Sequence, residues 1–213
     1  MNKIINSFLK FLPSEEWICT DSKLPWLKLN LQIPHQNILK EANQLYDQSV
    51  LHRPNDSFGN YQNSGWKSLT LYGESSDITE NTIAPKSWTS IAQQCPCTVE
   101  FIKNNFEITD NTGRIRFMWL EPQGYILPHQ DRVESGFFET NIAISHPVGC
   151  EFRFLDYGTV PFETGTAFMV DISNRHFVAN NSNQVRTHII VHSKLKPGIV
   201  KSSYEQNFYH RQT

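Results

Sequence analysis

The stretch LPHQDRVES, residues 127–135, contains a pair of side chains that could bind a metal ion. It places His129 and Asp131 two positions apart, directly after Pro128. In an extended segment, side chains two positions apart point to the same face, so both could reach one ion. The alternative is a polar turn in which Asp131 accepts backbone hydrogen bonds. Two side chains do not complete a metal site, so a third ligand must come from elsewhere in the chain.

His176 is the candidate for that third ligand. It lies between two predicted strands in NRHFVANNS, and an antiparallel hairpin could return it beside His129. Two imidazoles and one carboxylate occupy one face of an octahedral ion and leave three positions open, as in non-haem Fe(II) oxygenases. We therefore expect His129, Asp131 and His176 to bind Fe(II).

Arg186 follows ten positions after His176 and lies in the predicted strand VRTHIIVH. A buried arginine is costly when it is unpaired, and its planar fork of donors suits a carboxylate bound through both oxygens. The distal carboxylate of 2-oxoglutarate is such a partner. His188 would share a strand face with Arg186, and Met118 would share one with Arg116.

The elements that must position these residues are mostly strands. From residue 113 onward, short segments rich in β-branched and aromatic residues alternate with Gly, Pro, Asn or Asp. Those segments are 114–122, 139–147, 150–158, 165–173 and 185–193. Their spacing favours an antiparallel jelly roll, in a protein that is mainly β or α+β.

The first half of the chain has a mixed pattern. Residues 35–51 show the spacing of an amphipathic helix, and GWKSLTLYG, residues 65–73, alternates as a strand does. A proline in a first-turn position predicts a helix over residues 84–94, and helical spacing continues over 97–106.

Composition bounds the class of protein. The chain has 213 residues, 38% of them hydrophobic, and a formal net charge of -2, which together indicate one globular domain over residues 1–213. Lys and Arg are scattered, and no apolar run approaches the ~20 residues that span a bilayer. We therefore expect no nucleic-acid or membrane partner and a cytoplasmic location.

The four cysteines lack metal-site spacing and are expected to be reduced thiols. The oligomeric state stays open.

The segments PHQD and RHFVANNSNQVRTHIIVH resemble the aspartyl/asparaginyl β-hydroxylase family of Fe(II)- and 2-oxoglutarate-dependent oxygenases, over about residues 60–194. The family pattern is His-x-Asp, a distant His, and an Arg ten residues later. The resemblance implies a double-stranded β-helix, or cupin-like jelly roll, at residues 61–194. Helices at about 1–60 would pack outside it, and a tail would follow at 195–213. The implied cofactors are Fe(II), 2-oxoglutarate and O2.

Further side chains are expected around the metal ligands, some from the resemblance and some because of the strand faces they would share. The residues expected to contact the co-substrate are Arg186, Asn141, His188 and Met118. The residues expected to contact the substrate are Ser68 and Arg116.

The chain departs from the family on the strand after the first two ligands. Members often carry an Arg-x-His pair there, which helps to hold the co-substrate, and this sequence has Glu139-Thr140-Asn141 instead. Asn141 can donate one hydrogen bond, whereas Glu139 would repel a carboxylate if it faced inward. How the keto-acid end of 2-oxoglutarate is held is therefore open.

The expected activity is hydroxylation of an unactivated carbon in an amino acid, a peptide or a protein side chain. Related halogenases have a small residue in place of the carboxylate ligand, so Asp131 favours hydroxylation. One alternative is a non-catalytic, cupin-like metal- or ligand-binding protein. Another is a zinc hydrolase on the same ligands, since zinc binds such sites more tightly than Fe(II).

Overall fold

The computed structural model describes residues 24–53, 58–73, 86–131 and 139–203. The parts of the predicted helical N-terminal region and tail that fall at 1–23 and 204–213 lie outside these residues, as does Cys19.

Within the described residues, two complete helices and twelve strands form the fold, and residues 199–203 are also helical. The helices are α1 (His35–Gln44) and α2 (Pro96–Asn105). The strands are β1 (Trp26–Leu29), β2 (Val50–Leu51), β3 (Trp66–Gly73), β4 (Ser87–Trp88), β5 (Ile115–Leu120), β6 (Tyr125–His129), β7 (Glu139–Ser145), β8 (Cys150–Phe154), β9 (Gly158–Thr159), β10 (Ala167–Val170), β11 (His176–Asn180) and β12 (Arg186–Val191). Neither helix is long and apolar enough to span a membrane, and the described residues contain no other candidate span.

The strands pair antiparallel and form two sheets. The larger sheet has the order β1-β10-β7-β12-β5-β3-β2, with β4 also paired to β3, and the smaller has the order β6-β11-β8-β9. An apolar cluster drawn from both sheets lies between them. This arrangement is a double-stranded β-helix, so the predicted jelly-roll fold is confirmed.

The larger sheet is covered on both faces. On β7, Ile142 and Ile144 join the apolar cluster that includes residues of α1 and α2, whereas Ala143 joins the cluster between the sheets. Side chains alternate between the faces of a strand, so every second residue of β7 points into the space between the sheets. Polar side chains on that inner face must be satisfied by one another or by a ligand.

The two helices are fixed to each other through the N-terminus of α2. Pro96 opens this helix, where a missing N–H costs nothing. The carboxylate of Glu41, on α1, accepts from the backbone N–H groups of Cys97 and Thr98 at 2.8 and 2.9 Å. A negative charge is favourable at this helix end, so the pair forms a stable outer layer.

Residues 24–53, the first described part of the N-terminal region, are less helical than the sequence predicts. The helix expected over residues 35–51 ends at Gln44, and a 3-10 turn at Tyr46–Gln48 and strand β2 follow it. The preceding residues also form a strand, β1, which pairs with β10 at the edge of the larger sheet.

The helix predicted over residues 84–94 is wrong for its described part. Ser87–Trp88 forms β4 against β3, and a 3-10 turn at Ala92–Gln94 follows. The hydroxyl of Thr89 donates to backbone carbonyls of β3, those of Thr70 at 2.8 Å and Leu71 at 3.2 Å. Such side-chain bonds to a neighbouring strand compete with helix formation.

Candidate metal centre and active site

The three predicted metal ligands lie together at one end of the smaller sheet. His129 is the last residue of β6 and His176 is the first of β11, and the two are directly opposite each other in the ladder. Asp131 follows β6, and its backbone N–H donates to the carbonyl of Ile172 at 3.0 Å. One ligand atom from each of the three side chains lies within 4.8 Å of the other two.

Backbone carbonyls decide which nitrogen of each imidazole faces the centre. Nδ1 of His129 lies 2.7 Å from the carbonyl oxygen of Leu127, and Nδ1 of His176 lies 2.9 Å from that of Asn174. A carbonyl can only accept, so each Nδ1 donates and each Nε2 is left for a metal. The two Nε2 atoms lie 3.2 and 3.8 Å from Oδ2 of Asp131. Two imidazole nitrogens around one carboxylate form a donor set that fits a divalent transition metal.

The electrostatics of the centre keep its carboxylate ionised. Burial alone would raise the pKa of Asp131, but the hydrogen bond and charge of His129 outweigh it and lower that pKa. Burial would likewise lower the pKa of His129, and Asp131 reverses the effect and raises it. Burial lowers the pKa of His176. An ionised carboxylate beside two imidazoles is available to a cation.

Aromatic rings hold the inner ligand in place. The ring of Phe152 stacks on His176 at a centroid distance of 5.2 Å and an interplanar angle of 3°, and Phe154 lies 5.7 Å from the same imidazole. Both phenylalanines belong to β8, which pairs with β11. The packing fixes the imidazole plane and keeps the inner side of the metal centre dry.

The structure brings the other predicted site residues onto one surface, the inner face of the larger sheet. Strand registers align His188 with Met118 and Ser68, and align Ile190 with Arg116 and Asn141. Arg186 lies two positions before His188 and shares its face. The residues so grouped are Ser68, Arg116, Met118, Asn141, Arg186 and His188. Their roles toward a co-substrate or a substrate stay predictions.

Arg186 is a buried cation, with only 3% of its surface exposed. Its Nη2 lies 3.0 Å from Nδ1 of His188, while its Nε has no hydrogen-bond partner among the described residues. No described carboxylate forms an ion pair with it, as the pairs present involve other residues. Burial lowers its pKa to about 10, so it stays charged at neutral pH. The inner end of the pocket therefore carries an unbalanced positive charge.

A hydrogen-bonded group of side chains supports Arg186. Nδ1 of His188 also lies 2.6 Å from Oδ1 of Asn141, and its Nε2 lies 2.9 Å from Nδ1 of His146. Burial lowers the pKa of His188 well below its ordinary value and that of His146 to about 4. Both imidazoles are thus neutral at pH 7 and add no charge to that of Arg186.

Three further predicted residues lie on the neighbouring strands β3 and β5. The hydroxyl of Ser68 is fully buried and lies 3.2 Å from Nδ1 of His52. Met118 packs in the apolar cluster between the sheets. Arg116 is buried, and its Nε has no hydrogen-bond partner among the described residues.

Glu139 lies on the inner face, since it is two positions before Asn141. The carboxylate of Glu139 lies 3.0 Å from Nε2 of His192, so the two side chains are within hydrogen-bond distance. The departure from Arg-x-His therefore places an acidic group, paired with an imidazole, where the family often has an arginine.

Several residues of the site are missed by sequence reasoning. Arg53 lies 3.5 Å from Oδ1 of Asp131, and His52 and His146 contact Ser68 and His188. No local pattern distinguishes these three, because strand pairing brings them to the site from turns and strand ends. A proline next to His146 and one close to His52 indicate only turns.

A double-stranded β-helix with two histidines and one carboxylate at the mouth, and a buried arginine within, defines the class of Fe(II)- and 2-oxoglutarate-dependent oxygenases. The sequence matches the family described as Aspartyl/Asparaginyl beta-hydroxylase over residues 34–194, and the chain belongs to this family. It is accordingly a hydroxylase that uses Fe(II), 2-oxoglutarate and O2. The match begins earlier than the resemblance at residue 60, because it includes α1.

Solved structures share the fold at low sequence identity. A prolyl hydroxylase from Trichoplax adhaerens, in complex with a hypoxia inducible factor peptide fragment, is 12% identical, with 96% of this chain and 91% of that chain covered and a TM-score of 0.51. A Pseudomonas putida prolyl-4-hydroxylase is 10% identical, with 90% and 97% covered and a TM-score of 0.48. No curated protein sequence matches this chain.

Proposed function

We propose that this protein hydroxylates an unactivated carbon of an amino acid, or of a side chain in a peptide or protein. The observation that carries the proposal is the geometry of the pocket. A triad suited to Fe(II) lies at one end of the smaller sheet, and Arg186, whose charge no described carboxylate balances, is buried on the inner face of the larger sheet.

His129, Asp131 and His176 would hold Fe(II) on one face and leave the opposite face open. Arg186 would bind the distal carboxylate of 2-oxoglutarate through its fork of donors. His188 would hold that fork in position through the contact of its Nδ1 with Nη2 of Arg186, and Asn141 lies 2.6 Å from the same ring nitrogen. Bound iron and 2-oxoglutarate supply the oxygen activation that a C–H hydroxylation requires.

The third ligand favours hydroxylation over halogenation. Asp131 fills the ligand position that a halide would need, and its carboxylate is ionised and aimed at the two imidazoles. The chain offers no small residue at this position.

A peptide or protein substrate is supported by the shared fold. The Trichoplax prolyl hydroxylase was solved with a peptide fragment, so this fold can accommodate one. In the present chain the metal ligands His129 and Asp131 are partly exposed, while His176 is buried. A side chain could therefore reach the metal while its backbone stays outside.

The test uses metal-free protein mixed anaerobically with Fe(II) and 2-oxoglutarate. We expect the weak visible charge-transfer band of a chelated keto acid in the parent and no band in His176→Ala, which should lose iron but keep its circular dichroism. His35→Ala, which changes a histidine on α1, is the control and should behave as the parent.

Arg186→Gln should retain iron and weaken 2-oxoglutarate by at least ~30-fold, as expected when one partner of a buried charge pair is removed. Arg153→Gln, at an exposed position on β8, is the matched control. On admission of O2, succinate formed in step with a hydroxylated product would exclude a binding protein. Activity that needs zinc and no oxygen would instead favour a hydrolase and contradict the proposal.

A further inference from the structure

Arg116, on β5, is a second buried cation in the pocket. Only 8% of its surface is exposed, and its Nε has no hydrogen-bond partner among the described residues. No described carboxylate lies within ion-pair distance of its guanidinium, because those of Asp131 and Glu139 pair with other side chains. A buried charge without a partner is costly, so a ligand that supplies an anion would stabilise Arg116.

The position of Arg116 separates it from Arg186. In the β5–β12 ladder Arg186 is opposite Leu120, whereas Arg116 is opposite Ile190, four positions along each strand. At the rise of a strand this corresponds to ~13 Å between backbone positions. The two arginines therefore project from opposite ends of the inner face.

The charges around Arg116 place it toward the metal end of the pocket. Burial and the positive charges of Arg114 and Arg53 lower its pKa to about 10, against the opposing effect of the negative charges of Glu139 and Asp131. Asp131 is a metal ligand, and Arg53 is its ion-pair partner. Arg116 lies at the beginning of β5, and the chain reverses at residues 121–124 before β6 ends at His129, so Arg116 is at the metal end of the fold.

We propose that Arg116 is a second carboxylate subsite, at the metal end of the pocket and independent of Arg186. The inference rests on the proposed function. Two sources share this chemistry: the keto-acid end of 2-oxoglutarate, and a carboxylate of the substrate. Either presents a planar pair of oxygens that suits the guanidinium fork. The first source would explain how the chain manages with Asn141 where the family often has an Arg-x-His pair.

The first measurement is the melting temperature of the ligand-free protein. Arg116→Met removes the unpaired charge and keeps much of the side-chain volume, so we expect the variant to melt higher than the parent. Arg153→Met, at an exposed position, should leave the melting temperature nearly unchanged. A lower melting temperature for Arg116→Met would indicate a structural arginine and count against the proposal.

The second measurement is calorimetric titration of Mn(II)-loaded protein with 2-oxoglutarate, without turnover. If Arg116 binds the keto-acid end, Arg116→Met and Arg116→Gln should weaken 2-oxoglutarate at least ~10-fold, with Mn(II) affinity unchanged. Arg116→Lys keeps the charge without the fork and should fall between them and the parent.

The third measurement identifies a substrate carboxylate. If Arg116 binds a carboxylate of the substrate, the affinity of Arg116→Gln for 2-oxoglutarate should stay within twofold of the parent. The variant should then lose the succinate formation that peptides containing Asp or Glu stimulate in the parent. Matched peptides containing Asn or Gln would then stimulate the parent and the variant equally.

Two failures are distinguishable. A parent that binds neither Mn(II) nor 2-oxoglutarate would overturn the proposed function, and with it this inference. A parent that binds both, with Arg116 variants equal to it in affinity and turnover and no more stable, would overturn the Arg116 subsite alone.

Discussion

His146 shows how a residue outside the first contacts of a ligand can still set the geometry of the pocket. Its Nδ1 lies 2.9 Å from Nε2 of His188, whose other nitrogen lies 3.0 Å from Nη2 of Arg186. The ring of Phe162 lies 5.0 Å from His188 on another side. The imidazole of His188 is therefore held by both a hydrogen bond and packing. Because it contacts the guanidinium of Arg186, it also fixes the position of that group.

We predict that His146→Phe weakens 2-oxoglutarate binding by several-fold, since His188 loses the partner that fixes its ring plane. Turnover at saturating 2-oxoglutarate should change little, so the effect falls on KM rather than on kcat. His146→Asn restores a polar partner and should recover part of the affinity. Equal KM values for parent and His146→Phe would contradict this role.

At the scale of elements, the sequence predicts the strands that carry the site better than those at the margins. The longer strands β5, β7 and β12 can be recognised in the sequence, because strands that pack on both faces are rich in β-branched and aromatic residues. The two-residue strands β2, β4 and β9 have no pattern of their own and exist through their neighbours. For the same reason the metal triad and Arg186, which follow a spacing, could be predicted, whereas Arg53 and His146 reach the site only through strand pairing.

Asn180, at the end of β11, joins three elements. Its Nδ2 lies 2.8 to 2.9 Å from the carbonyl oxygens of Leu120, Glu121 and Gln184, so its two N–H groups are shared among the three, and its Oδ1 accepts from Ser182. We predict that Asn180→Ala lowers the free energy of unfolding by ~3 kcal/mol, because several buried polar groups lose their partner. Urea unfolding measures the difference, and a loss below ~1 kcal/mol would show that water replaces these bonds.

At the scale of the whole molecule, buried neutral histidines link stability to pH. The pKa of His146 is lowered to about 4 and that of His188 well below its ordinary value, while in the unfolded chain both return to ~6.5. Below pH ~6.5 the unfolded chain therefore binds protons that the folded protein does not. Stability from these groups is complete above that pH and is lost as the pH falls toward 4.

We predict that the free energy of unfolding of the metal-free protein falls between pH 7 and pH 5. The slope should approach ~1.4 kcal/mol per pH unit for each of the two histidines. His146→Phe removes one titrating group, so its pH profile should be shallower than that of the parent. Urea unfolding at pH 7, 6 and 5 tests this, and parallel profiles would show that His146 makes no contribution.

The opposed positions of His129 and His176 have a consequence for the kinetics of unfolding. The chain between them runs through β7, β8, β9 and β10, which contribute strands to both sheets. An ion bound to both residues joins the ends of β6 and β11, which are neighbouring strands of the smaller sheet, so these two strands cannot separate there until it leaves. Mn(II) should therefore slow unfolding in guanidinium chloride relative to a chelator, and His176→Ala should unfold at one rate in both. The catalytic metal would then also determine how long each molecule stays folded.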